Sequence, residues 1–245
     1  MHLHYTFYSV GLGREAAWVY YSAMELIRIP TMTEGDAPLS DRLQAELEAG
    51  KNVLWLVPGG SNIPLSAEVM RQIPDELTHR LTIYLTDERY GEVDHPDSNT
   101  RQLREAGFDP KDARMVHVLA PGLGLEETAE QYALSIAAAF EVADIVIAQI
   151  GMGPDGHICG ILPGSPAVTS DQLAVGYKTE TFTRITLTPR ALIEHVDAAY
   201  VYAFGEAKLP ALENLLGKEL PLDEQPAQLL KQLPEAYVYN DQLAN

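Results

Sequence analysis

The chain has 245 residues, 46% of them hydrophobic, and sets 17 Lys and Arg against 35 Asp and Glu for a formal net charge of −18. That acidity, with no basic stripe carrying interleaved aromatics, excludes a nucleic-acid binder, because the phosphate backbone demands clustered cations. A single cysteine, Cys159, excludes disulfide frameworks and cysteine-based zinc sites.

In chain order, His2–Ser9 is a candidate first strand, and His2 and His4 lie too near the start to build a catalytic site. The most apolar early run sits between Glu15 and Glu25, too short to span a bilayer. No basic segment leads into an apolar one there, so a reduced, cytoplasmic protein with no membrane partner is expected. Residues 41–49, with Leu43 and Leu47 one turn apart, predict a helix with Ser40 as N-cap and Gly50 as its stop. Val53–Val57 is apolar without alternation, as in a parallel strand covered on both faces. It runs into Pro58-Gly59-Gly60-Ser61-Asn62, after which Pro64 opens a helix. Two glycines between a strand and a helix let backbone N–H groups approach an anion, with the helix dipole adding attraction. A tight turn before a capped helix is the structural alternative, and the glycine spacing matches neither a Walker loop nor a dinucleotide fingerprint.

Leu81–Thr86 is the next strand. It ends in Asp87-Glu88-Arg89, followed by His95-Pro96-Asp97-Ser98-Asn99, which reads equally as part of a site or as a solvated charge run and a turn. Leu125–Phe140 is the clearest helix, with Ala129, Tyr132, Ala133, Ile136, Ala137 and Phe140 on one face. Ala143–Ile150 is a third strand, ending in Gly151-Met152-Gly153-Pro154-Asp155-Gly156-His157. Three glycines, a proline and an aspartate force a sharp loop that presents His157, a residue able to take and return a proton, at the sheet's edge. A lone histidine is more often structural, and His79, His95, His117 and His195, which lack such a loop, are read that way. Arg184–Thr188, Ala198–Phe204 and Ala236–Tyr239 are further strands; Glu206–Leu216 and Pro226–Leu233 are further helices.

No repeat or linker divides the chain, so a single domain over residues 1–245 is expected. Strand–helix alternation predicts a three-layer, Rossmann-like α/β fold, a mainly parallel sheet with helices on both faces. Its site would lie beyond the carboxyl ends of the strands. There is no G-x-S-x-G nucleophile elbow and no H-E-x-x-H zinc helix, so neither a metal nor a cofactor is expected.

Four segments, PGGSNIP at 58–64, TDERYGEVDHPDSN at 86–99, GMGPDGHICGILPG at 151–164, and RITLTP with GEAKLPAL at 184–189 and 205–212, together resemble the family of 6-phosphogluconolactonases and glucosamine-6-phosphate deaminases. The resemblance runs from about residue 50 to 216, and residues 1–50 match poorly. It implies a phosphate pocket of Gly59, Gly60, Ser61, Arg184 and Lys208. Lys208 sits at the start of a helix following a strand; Arg184 precedes a strand and reaches the same rim only if that strand runs antiparallel to its neighbours. The deaminases resemble one another in an Asp-Glu-Tyr triplet and in a Gly-His-Ile-Ala-Phe-Asn-Glu run. Here Arg89 ends the triplet and Leu162 stands where that glutamate would be. The Ile161-Leu162-Pro163 ending resembles the lactonases, while Ile158, Gly160, Pro58 and Asn62 depart from the family's small polar positions. The resemblance thus implies hydrolysis of a phosphorylated δ-lactone, 6-phosphoglucono-1,5-lactone, with His157 as general base. Arg89 would stabilise the oxyanion or position the sugar acid, and Asp87 or Asp155 would orient the cations and the loop. A deaminase or isomerase of amino sugar phosphates, and a non-catalytic sugar-phosphate sensor, stand beside it as alternatives.

Overall fold

Strands buried on both faces form the centre of the molecule, and they are the segments with unbroken apolar sequence. The computed structural model describes residues 23–244; the strand expected at His2–Ser9 lies outside them. The chain runs through β1 (Ala23–Arg28), α1 (Asp36–Glu48), β2 (Val53–Val57), α2 (Ile63–Gln72), β3 (Leu81–Leu85), β4 (Asp87–Arg89), α3 (Asn99–Glu105) and β5 (Arg114–Val116). It continues through α4 (Leu125–Val142), β6 (Ile145–Gly151), β7 (Ala174–Lys178), β8 (Thr183–Leu187), α5 (Pro189–His195), β9 (Ala198–Ala203), α6 (Leu209–Gly217) and β10 (Glu235–Asn240). Seven strands make one sheet in the order β1-β10-β9-β6-β2-β3-β5, every neighbouring pair parallel. Every residue of β2 and β9 is buried, so both faces of the sheet are covered.

The helices bury the stripes that their spacing sets. In α1, Leu39, Leu43 and Leu47 recur at four-residue intervals and are all buried, each contributing roughly 1.5–3 kcal/mol. The start of this helix differs from expectation. It begins at Asp36 with Gly35 as N-cap, and Ser40 lies inside it, buried, its hydroxyl 2.6 Å from Gln72 Oε1. Pro38 is compatible with a first turn, where its missing N–H would have had no partner, so the helix starts a turn earlier. Gly50, at φ +79°, follows the last turn as expected. Residues Pro226–Gln232 form a 3-10 helix rather than an α-helix, and a 3-10 turn at Glu206–Lys208 precedes α6.

The triplet Asp87-Glu88-Arg89 is a strand, not a loop. With β8 and β7 it makes a second, antiparallel sheet in the order β4-β8-β7. The residues expected as a turn at 95–99 lead into α3, where Ser98 is the N-cap and accepts from Arg101 N at 3.3 Å. In the main sheet β3 lies on one side of β2 and β6 on the other. The loops leaving β2 and β6 therefore diverge, and the crevice of an open α/β sheet forms at such a point.

Candidate active site

The loop after β2 turns through Gly59 and Gly60 into a 3-10 turn, Gly60–Asn62, and then into α2, with Pro64 in its first turn. Gly60 has φ +66°, a conformation that favours glycine. Gly59 is needed for closeness, since a Cβ there would fall 2.2 Å from the Asn99 amide. That amide donates to Asp87 O at 2.8 Å, tying the start of α3 to β4 directly beside the loop after β2.

The loop after β6 closes on itself. Gly153 N donates to His157 O (2.8 Å) and Gly156 N to Gly153 O (3.0 Å), and a Cβ on Gly153 would stand 2.2 Å from His157 Nδ1. Within this turn His157 Nδ1 lies 2.6 Å from Asp155 Oδ1, which also accepts from the His157 backbone N–H. The hydrogen bond from His157 holds the Asp155 carboxyl below its usual range, against the opposing effect of burial. An ionised carboxylate only accepts, so Nδ1 carries the proton, which leaves Nε2 as the ring nitrogen that faces a reactant.

Across the crevice, β4 and β8 pair in register with Arg89 opposite Arg184. The condition on Arg184 is met, because β8 runs antiparallel to both its neighbours. Arg184 Nη1 is 3.7 Å from Asp87 Oδ2, and Arg89 Nη1 donates to Asp97 O at 3.1 Å. The Nε atoms of both arginines are buried without a partner among the described residues. Lys208, at the entrance to α6, donates to Met152 O, and burial lowers its pKa while Asp155 opposes that shift.

Eight of the nine residues singled out in the sequence, Gly59, Gly60, Ser61, Asp87, Arg89, His157, Arg184 and Lys208, line one cavity of about 280 Å³. Asp155 stands behind His157. Asn62, Met152 and Cys159, to which sequence reasoning assigned no role in a site, are among the other residues that line it. Asn62 is 2% exposed, with Oδ1 unpartnered among the described residues; its departure from the family's small polar position was its one signal in the sequence. Cys159 has φ +53°, and burial pushes its thiol pKa up. Ile158 is fully buried, and a Cβ at Gly160 would lie 2.9 Å from Asp87 Cβ. Those two departures therefore serve packing beneath the cavity.

Glu88 was legible only as one of a triplet. It is fully buried and accepts from Arg89 N (2.7 Å), Ser98 Oγ (3.1 Å), Asn99 N (2.6 Å), Thr100 N (3.0 Å) and Thr100 Oγ1 (2.9 Å). It locks β4 to the N-terminus of α3. Of the other histidines, His95 Nε2 lies 2.8 Å from Arg89 O and His195 stacks on Phe140. Among the described residues no group of three or more His, Cys, Asp or Glu is placed to hold a metal ion, and no helix is long and apolar enough to cross a membrane.

Known proteins resemble this chain in sequence and in fold. A 6-phosphogluconolactonase from Synechocystis is 30% identical over 213 residues, 82% of this chain and 86% of the relative. One from Thermotoga maritima is 30% identical over 187 residues, 70% of this chain and 78% of the relative. The crystal structure of a 6-phosphogluconolactonase from Shewanella baltica shares the fold at a TM-score of 0.74 and 24% identity, covering 89% of this chain and 97% of that one. A monomeric glucosamine-6-phosphate deaminase shares it at a TM-score of 0.72 and 21% identity, over 89% of this chain and 98% of its own, so the fold alone does not choose between the two chemistries. The family model described as glucosamine-6-phosphate isomerases/6-phosphogluconolactonase matches residues 32–238, and the chain belongs to that family.

Proposed function

We propose that this chain hydrolyses 6-phosphoglucono-1,5-lactone to 6-phosphogluconate. The observation that carries the reading is His157, its Nδ1 bonded to Asp155 and its ring lining a cavity that also holds Arg89, Arg184 and Lys208. His157 Nε2 takes a proton from water as the oxygen attacks the lactone carbonyl carbon. Arg89 stabilises the oxyanion that develops there. As the tetrahedral intermediate collapses, the bond from C1 to the ring oxygen breaks, and the imidazolium returns its proton to that departing oxygen. The glycine-loop N–H groups, Ser61, Arg184 and Lys208 grip the phosphate and hold the carbonyl within reach of the water. The two lactonase relatives support this branch, as does Leu162 at the position of the deaminases' glutamate.

The test offers the chain 6-phosphoglucono-1,5-lactone, with spontaneous hydrolysis subtracted, and in parallel measures ammonia release from glucosamine 6-phosphate. Lactone turnover without ammonia is the expected result. Ammonia release would place the chain in the other branch, and tight binding of 6-phosphogluconate with no turnover of either compound would make it a sensor.

A further inference from the structure

Arg89 and Arg184 face each other directly across β4 and β8. Side chains so paired share one face of the sheet with Cβ atoms about 4.5–5.5 Å apart, and two like charges in that position repel. Among the described residues few polar bonds fix either guanidinium: each Nε is buried without a partner there, Arg89 bonds to Asp97 O, and Arg184 stays 3.7 Å from Asp87 Oδ2, beyond hydrogen-bonding distance. What the two share is Phe182. Arg89 Cζ stands 5.0 Å and Arg184 Cζ 5.4 Å from the centroid of its ring, within the range of a cation–π attraction.

The backbone that carries the ring is held. Phe182 ends the turn between β7 and β8, where Thr179 N donates to Phe182 O (2.8 Å) and Phe182 N donates to Thr179 Oγ1 (3.0 Å). We infer that Phe182 is a positioning residue, which holds the Arg89 and Arg184 guanidinium groups together at the cavity and so sets its affinity for an anionic sugar derivative. The inference rests on the proposed function only for the identity of that anion. Its physical basis is preorganisation. Two long side chains already ordered against an aromatic face lose little freedom when the ligand arrives, whereas freed arginines lose it on binding.

Calorimetry on the wild-type chain, Phe182→Leu and Phe182→Tyr, with 6-phosphogluconate and with inorganic phosphate, tests this alongside the thermal midpoint of each protein. Leucine keeps the apolar bulk without the π face; tyrosine keeps both. Phe182→Leu is expected to weaken 6-phosphogluconate by about 10-fold and to raise KM for the lactone, while Phe182→Tyr stays within about 2-fold of wild type. Thermal midpoints should agree among the three. Equal affinities of all three proteins for both ligands would overturn the inference, as would a tyrosine variant as weak as the leucine one. Absence of lactone turnover in the wild-type chain would instead overturn the functional reading, while the phosphate affinities still decide the role of Phe182.

Discussion

In the proposed reaction the chemistry at His157 depends on which ring nitrogen keeps its proton, and Asp155, two residues earlier, would make that choice through its contact with Nδ1. The side chain of His157 is 31% exposed, so its removal leaves no large core void. His157→Ala is expected to lower kcat on the order of 10²-fold or more while the far-ultraviolet circular dichroism stays unchanged. Asp155→Asn probes the same step with the imidazole kept, because an amide can offer Nδ1 a donor and reverse the tautomer; a loss on the order of 10²-fold is expected there too. Near-normal turnover in both variants would remove the pair from the mechanism. Since the Asp155 carboxyl is held below its usual range, its contribution is complete above the unfolded value and lost only as pH falls through the lower folded one. The carboxylate is therefore in place at neutral pH. His157 was legible in the sequence because a glycine-rich loop is a local signal. Phe182 was not, because its meaning comes from Arg89, a residue distant along the chain.

Elements were legible in proportion to their burial. Apolar runs marked β2, β3, β6 and β9, and β2 and β6 show no alternation, because a strand covered on both faces has no solvent side to encode. By contrast β4 has three residues, all charged, and exists because β8 pairs with it from far along the chain. No local pattern announces such a partner. The same holds for α3, whose N-terminus is fixed by the buried Glu88 carboxylate from β4. Glu88→Ala would leave the Asn99 and Thr100 amides buried without an acceptor and is expected to destabilise the fold by about 3 kcal/mol, read from the urea midpoint. Glu88→Gln retains one acceptor oxygen and should lose less. Activity should fall further than stability alone requires, because Asn99 holds both Asp87 and the approach to Gly59. A Glu88→Ala protein within about 0.5 kcal/mol of wild type would show that the five bonds do not govern the site.

For the whole molecule, the net charge of −18 opposes the capture of a phosphorylated sugar acid. The composition made that conflict visible; the proposed answer lies in the cavity, where Arg89, Arg184 and Lys208 are gathered on one lining. The two effects act over different distances, and salt separates them. The screening length is about 30 Å at 0.01 M ionic strength and about 10 Å at 0.1 M. Raising the salt over that range screens the acidic surface far from the crevice first, while charge-assisted hydrogen bonds inside a partly buried cavity are screened much less. The affinity for 6-phosphogluconate is therefore expected to rise about 2-fold between these two conditions and to fall only at higher salt, where the local bonds weaken in turn. Gluconate, which lacks the phosphate charges, should respond more weakly over the same interval. The measurement is the dissociation constant of each ligand across a salt series, with chloride and sulfate compared so that a competing anion in the pocket is recognised. A steady loss of 6-phosphogluconate affinity from the lowest salt upward, the same in both anions, would mean that the three cations project their field beyond the crevice and that the acidic surface plays no part in capture.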